Sequence, residues 1–183
     1  MEASSRQWKP PKLTPMLAVI AIPEFVPADA AWIDTIRRAH DPQYDRVAAH
    51  VTLAFPQQPE DPDWFAGHVA AVAAGTAPVE AVFDRLDRMD DPFQPKYRHL
   101  NVLLADAASA APLTALYRML GGRDPAYAPH VTLSRFGAVF SAKALQRQIG
   151  TLQQPLYAGI AALELLRIDN GAIRSEGRFV LAG

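Results

Sequence analysis

The tetrapeptide His-Val-Thr-Leu occurs twice in this 183-residue chain, at residues 50–53 and 130–133. Each copy lies in a run of strand-forming residues, Ala49-His50-Val51-Thr52-Leu53-Ala54-Phe55 and His130-Val131-Thr132-Leu133-Ser134-Arg135-Phe136, and a helical pattern follows each. Side chains alternate between the faces of a strand. His50 and Thr52 therefore point one way while Val51, Leu53 and Phe55 point the other, and His130 and Thr132 part from Val131 and Leu133 in the same manner. A fold that accepts both copies must bury two apolar rows and present two polar pairs. That requirement predicts two similar lobes whose polar pairs face each other across a cleft, with the boundary between lobes near residues 90–95.

The remaining patterns fill in the lobes. Residues 16–22 form a short apolar strand ended by Pro23, and residues 28–40 a helix with Trp32, Ile33 and Ile36 on one stripe. The first motif strand, 49–55, is expected to stop at Pro56, and a helix follows over 61–74. Residues 79–89 are strand-like in their first half, and 98–105 alternate with Leu100, Val102 and Leu104 on one face and His99, Asn101 and Leu103 on the other. A helix over 110–120 closes at Gly121-Gly122, the second motif strand spans 130–136, and a helix over 141–152 takes Ser141 as N-cap. Strands over 161–168 and 174–181 are joined through Asn170-Gly171, a hairpin turn signal. This order predicts an α+β fold with mixed or antiparallel sheets rather than a doubly wound parallel sheet. Residues 1–14, polar and broken by Pro10 and Pro11, are expected to be a flexible N-terminal segment ahead of a single bilobal domain over residues 15–183.

Composition narrows the chemistry. Half of the residues are hydrophobic, enough for a well-buried interior. The formal net charge of −1 removes the global basic field of non-specific nucleic-acid binders, so an anionic ligand must be met by a local site. The absence of cysteine excludes disulfides, thiol nucleophiles and Cys-ligated zinc, and suits a reducing cytosol. The first apolar run is too short for a signal sequence or a membrane span, so the expectation is a cytoplasmic protein with no membrane partner.

Two His/Thr pairs facing one another suit a phosphate diester. One neutral imidazole takes a proton from the attacking oxygen, the opposite imidazolium gives one to the leaving oxygen, and two threonine hydroxyls hold the non-bridging oxygens. Histidine fits because its unperturbed pKa lies near neutrality. No metal or cofactor is required, and neither motif has a carboxylate or third histidine at ligand spacing.

With its two His-x-Thr-x elements, each on a predicted strand, the chain resembles the two-histidine (2H) phosphoesterase superfamily, and most closely its LigT-like, 2′-5′ RNA ligase branch. The likeness covers nearly the whole chain after about residue 14. It implies a bilobal, pseudo-symmetric fold of two sheets with helices outside and a central groove. It also implies hydrolysis of a 2′,3′-cyclic phosphate, on an RNA end or a small cyclic nucleotide, to a 2′-phosphate, or the reverse 2′-5′ ligation. Carried onto this chain, His50 and His130 are the catalytic pair and Thr52 and Thr132 the phosphate contacts. Arg135 matches an arginine that follows the second motif in many relatives, and Phe55 stands in the corresponding place after the first. The symmetry of the motifs leaves open which histidine is acid and which base. A rival reading keeps the fold as a nucleotide or RNA-end binding module without turnover; intact His and Thr in both motifs oppose it.

Further candidates for substrate contact are Arg135, His99, Phe55, Phe136 and Tyr127. Strict alternation sets Arg135 on the Val131 and Leu133 side, away from the cleft, unless a strand end or a bulge swings it round. His99 shares a face with Asn101 and offers either a groove wall or a solvated strand entry. Tyr127, Phe55 and Phe136 offer rings for a nucleobase, although such aromatics more often serve the core or the rim. His40 and His68 read as a helix-end and a boundary residue, and Asp84, Asp87, Asp90 and Asp91 as a solvated acidic edge. A site contained in one chain needs no protein partner, so a monomer suffices.

Overall fold

A computed structural model describes residues 15–91 and 94–183. The expected flexible segment, residues 1–14, lies outside the described residues, as do residues 92 and 93 of the expected lobe boundary. In chain order the elements are β1 (Met16–Ala21), β2 (Glu24–Phe25), α1 (Pro27–His40), β3 (Val51–Gln57), α2 (Pro62–Ala74), β4 (Val79–Asp90), β5 (His99–Ala105), α3 (Ala107–Met119), β6 (His130–Phe136), α4 (Val139–Ile149), β7 (Leu156–Ile160), β8 (Ala162–Asp169) and β9 (Ala172–Val180). The strands make a four-stranded sheet in the order β3-β1-β8-β9 and a five-stranded sheet in the order β2-β7-β4-β5-β6, antiparallel throughout. The predicted α+β class with two sheets is therefore correct, and among the described residues parallel pairing is absent from both.

Local chemistry accounts for the boundaries. The Asp61 carboxylate caps α2 by accepting from the Asp63 and Trp64 amides at 3.0 and 2.9 Å, and Asp106 caps α3 through the Ser109 amide at 2.7 Å. Asn170 (φ 47°) and Gly171 (φ 80°) both take positive φ in the β8–β9 turn, as a tight hairpin demands. Two expectations about ends fail. β3 runs on through Pro56 to Gln57, which an edge strand tolerates because the missing amide need face no neighbour. α4 begins at Val139 with no side-chain cap, so Ser141 lies within the helix. The short strands β2 and β7 are not evident in the sequence pattern.

The two motif strands are both sheet edges, β3 of the smaller sheet and β6 of the larger, and they approach one another. Behind them runs one contiguous core that includes Leu17, Val51 and Leu163 of the four-stranded sheet and Phe83, Leu103 and Val131 of the five-stranded sheet. α2 covers β8 and β9, and α4 covers β5 and β6. The expected boundary at residues 90–95 is incorrect: β4 and β5, which flank it, are hydrogen-bonded neighbours in one sheet. The sheets are instead interleaved along the chain, since β1 joins one and β2 the other.

Candidate active site

The alternation read from the sequence holds through the first half of each motif. Val51, Leu53, Val131 and Leu133 are fully buried, while His50, Thr52, His130 and Thr132 are partly exposed and line a groove of about 350 Å³ between the motif strands. Beyond the threonines each strand then breaks register in the same way. Ile20 pairs with Thr52 and Val19 with Ala54, so Leu53 is an extra residue in β3; Val102 pairs with Thr132 and Asn101 with Ser134, so Leu133 is extra in β6. An inserted residue reverses the parity of everything after it. Phe55 and Arg135 are thereby turned to the groove that alternation alone would deny them, and both line it.

The histidines are held alike. His50 Nδ1–H donates to the carbonyl of Ala48 at 2.7 Å, and His130 Nδ1–H to the carbonyl of Ala128 at 2.7 Å. A carbonyl can only accept, so Nδ1 carries the proton in both rings and Nε2 is left as the exchangeable nitrogen. Burial between the groove walls pushes the His50 pKa down from 6.5 to about 4, against the pull of the Ala48 carbonyl, with the charges of Arg135, Arg37 and His130 adding to the fall. Burial also lowers the His130 pKa, with Arg135 in the same sense, whereas the Ala128 carbonyl and the Asp91 carboxylate oppose it.

Arg135 is anchored within a run of alternating charges. Its Nε lies 3.3 Å from Asp41 Oδ1 and its Nη1 donates to Asp91 Oδ2 at 3.2 Å. Asp41 in turn accepts from Arg37 Nε and Nη2 at 3.1 and 3.0 Å, and Arg37 also donates to the Val47 carbonyl at 2.9 Å. Arg37 and Asp41 are 3% and 5% exposed, so this pair is a buried support rather than a substrate contact.

The sequence matches the family model of the 2′-5′ RNA ligase superfamily over residues 25–172. The chain belongs to this superfamily. Solved structures share its fold: the Thermus thermophilus protein TT0787 is 18% identical with a TM-score of 0.55, covering 92% of this chain and 98% of its own. Escherichia coli LigT in its apo form is also 18% identical, with a TM-score of 0.55, over 92% of this chain and 99% of its own. Kluyveromyces marxianus Usb1 is 8% identical with a TM-score of 0.53, over 87% and 96%. No curated protein sequence matches significantly.

Within this 2′-5′ RNA ligase superfamily member the other candidates divide. Tyr127 lines the groove, but one face of its ring is stacked on Tyr117 at 3.8 Å and its hydroxyl donates to the Thr52 carbonyl at 2.7 Å. It ties the segment before β6 to β3, and burial raises its phenol pKa. Phe136 does not line the groove; its ring meets His40 at 5.8 Å. His99 does not line it either, and its ring pairs with Asp90 at 2.8 Å. Its expected face-mate Asn101 is fully buried and donates to Ser134 Oγ and the Ala142 carbonyl, because the groove takes the opposite, Leu100 face of β5. The acidic edge departs from expectation at two positions: Asp91 belongs to the Arg135 anchor, and Asp90 lines the groove and pairs with Arg98 and His99. The sequence pattern marks Asp41 only as a helix stop and does not single out Arg37; an Arg and an Asp at i and i+4 are the available signal. Among the described residues no group of three or more His, Asp or Glu side chains is placed to hold a metal ion, and no helix is long and apolar enough to cross a membrane.

Proposed function

We propose that this protein is a metal-independent phosphoesterase that hydrolyses the 2′,3′-cyclic phosphate of an RNA end or nucleotide to a 2′-phosphate, with His50 and His130 as its acid/base pair. The observation that carries the reading is the matched pair of Nδ1-anchored imidazoles on facing strand edges, each leaving Nε2 for proton transfer. His50, held neutral by its surroundings, takes a proton from water as the water oxygen attacks phosphorus. The bond from phosphorus to the 3′ oxygen breaks, and His130 Nε2–H gives its proton to that oxygen. The bound phosphate anion favours a proton on both rings, and Asp91 favours it further on His130. Thr52 and Thr132 donate to the non-bridging oxygens, and Arg135 completes the anion's surroundings. With a 5′-hydroxyl in place of water the same displacement forms a 2′-5′ linkage. The fold neighbour LigT has been crystallised with phosphate, 3′-AMP, ATP and NADP+, in keeping with a nucleotide-binding groove.

The test is hydrolysis of 2′,3′-cyclic nucleotides and cyclic-ended oligonucleotides in the presence of EDTA. Wild-type protein should release 2′-phosphates, and His50→Ala and His130→Ala should each lower kcat by about 10²–10⁴-fold. Turnover that needs added zinc would replace the proposed chemistry with metal catalysis. Binding without turnover, equal in wild type and both variants, would leave a binding module.

A further inference from the structure

Two apolar walls flank the reactive groups. The four-stranded sheet and its β8–β9 hairpin contribute Ile20, Leu166, Ile168 and Ile173, and the five-stranded sheet contributes Met89 and Leu100. These side chains form clusters separate from the main core. The cavity between the walls, about 350 Å³, lies at the small end of ligand-binding sites.

The charge of the lining is the second observation. Among the described residues that line the groove, Arg135 is the sole Lys or Arg and is already paired to Asp41 and Asp91, whereas three carboxylates line it: Asp90, paired to Arg98 and His99, Asp91, paired to Arg135, and Asp124. Grooves that follow a single strand of RNA or DNA are lined with positive charge to meet successive phosphates. Here a chain of phosphodiesters leading away from the reacting phosphate would meet carboxylates and aliphatic side chains. A lone phosphate at the two motifs, carrying an uncharged body, would meet Arg135 with its charge and the apolar walls with its body.

We infer that the substrate class is a small cyclic phosphodiester whose only negative charge is the reacting phosphate, a 2′,3′-cyclic mononucleoside phosphate in preference to a cyclic-ended RNA chain. The inference rests on the phosphoesterase reading and adds a specificity to it. Asp124 is the residue best suited to test it. Its Oδ1 accepts from the Ala126 amide at 2.8 Å, an acceptor that asparagine retains, so Asp124→Asn removes charge while keeping the turn.

The experiment compares kcat/KM of the full chain for adenosine 2′,3′-cyclic phosphate and for an oligonucleotide ending in the same group, at low and high salt. The mononucleotide should be preferred by about tenfold or more at low salt, and the gap should narrow as salt screens the carboxylates. Asp124→Asn should narrow it at low salt by raising the oligonucleotide rate more than the mononucleotide rate. An oligonucleotide turned over as well as the mononucleotide, or better, with a rate that falls as salt rises, overturns the inference. If neither is hydrolysed, the phosphoesterase reading fails instead. Calorimetric binding of adenosine 2′-phosphate against a 2′-phosphate-ended oligonucleotide then decides the preference, and equal or tighter oligonucleotide binding overturns it.

Discussion

The carbonyl that holds each Nδ1 proton decides what the two rings can do, and the carboxylate near only one of them makes them unequal. Asp91 favours the charged form of His130, so Asp91→Asn should lower the pKa of the proposed acid and move the alkaline limb of the kcat/KM profile to lower pH. An unmoved limb would remove Asp91 from the proton account. His50 carries a stability consequence of its own. Its pKa is depressed in the folded state, so the unfolded chain takes up the proton first as pH falls, and folding loses free energy from about 6.5 down toward about 4. The melting temperature of wild type should fall more steeply across that window than that of His50→Gln; parallel curves would refute it. The histidines and threonines are legible from alternation and duplication because each pair lies ahead of its bulge. Arg37 and Asp41 are not, because the helix-end pair becomes part of the site only when α1 packs against β6.

At the scale of elements, the two bulges and the Tyr127 tether align the motif strands. Tyr127→Phe deletes the hydroxyl that bonds the Thr52 carbonyl. It should cost about 1 kcal/mol of stability and lower kcat several-fold, because the strands then hold their histidines at a less constant separation. A variant with unchanged kcat would show that the stacked Tyr117–Tyr127 pair suffices alone. Most helices and strands are legible, since apolar periodicity and caps such as Asp61 report local preference. β2, two residues long, and β7, which has only five, are fixed by pairing with distant strands and carry little pattern of their own. The orientation of Arg135 is unreadable for a related reason. A bulge is a property of two strands together, visible only once Leu133 is seen to lack a partner on β5.

Taken whole, the two sheets share one core, so the proposal of a single domain has a direct check. Variants retaining only Trp32, on the α1 side, or only Trp64, on α2, should unfold with the same midpoint, and two separated transitions would divide the molecule. Interleaving also gives the site a date of completion. The motif strand β3 pairs with β1, which waits for β8, while β7 must arrive to join β2 to β4. A pair of strands alone is marginally stable in water. During synthesis both motif histidines are polymerised before any residue of β7, β8 or β9, so the half-built chain carries the two rings without the frame that brings them together. The groove between the motif strands is therefore framed only once the last hairpin of the chain has paired with its first strand.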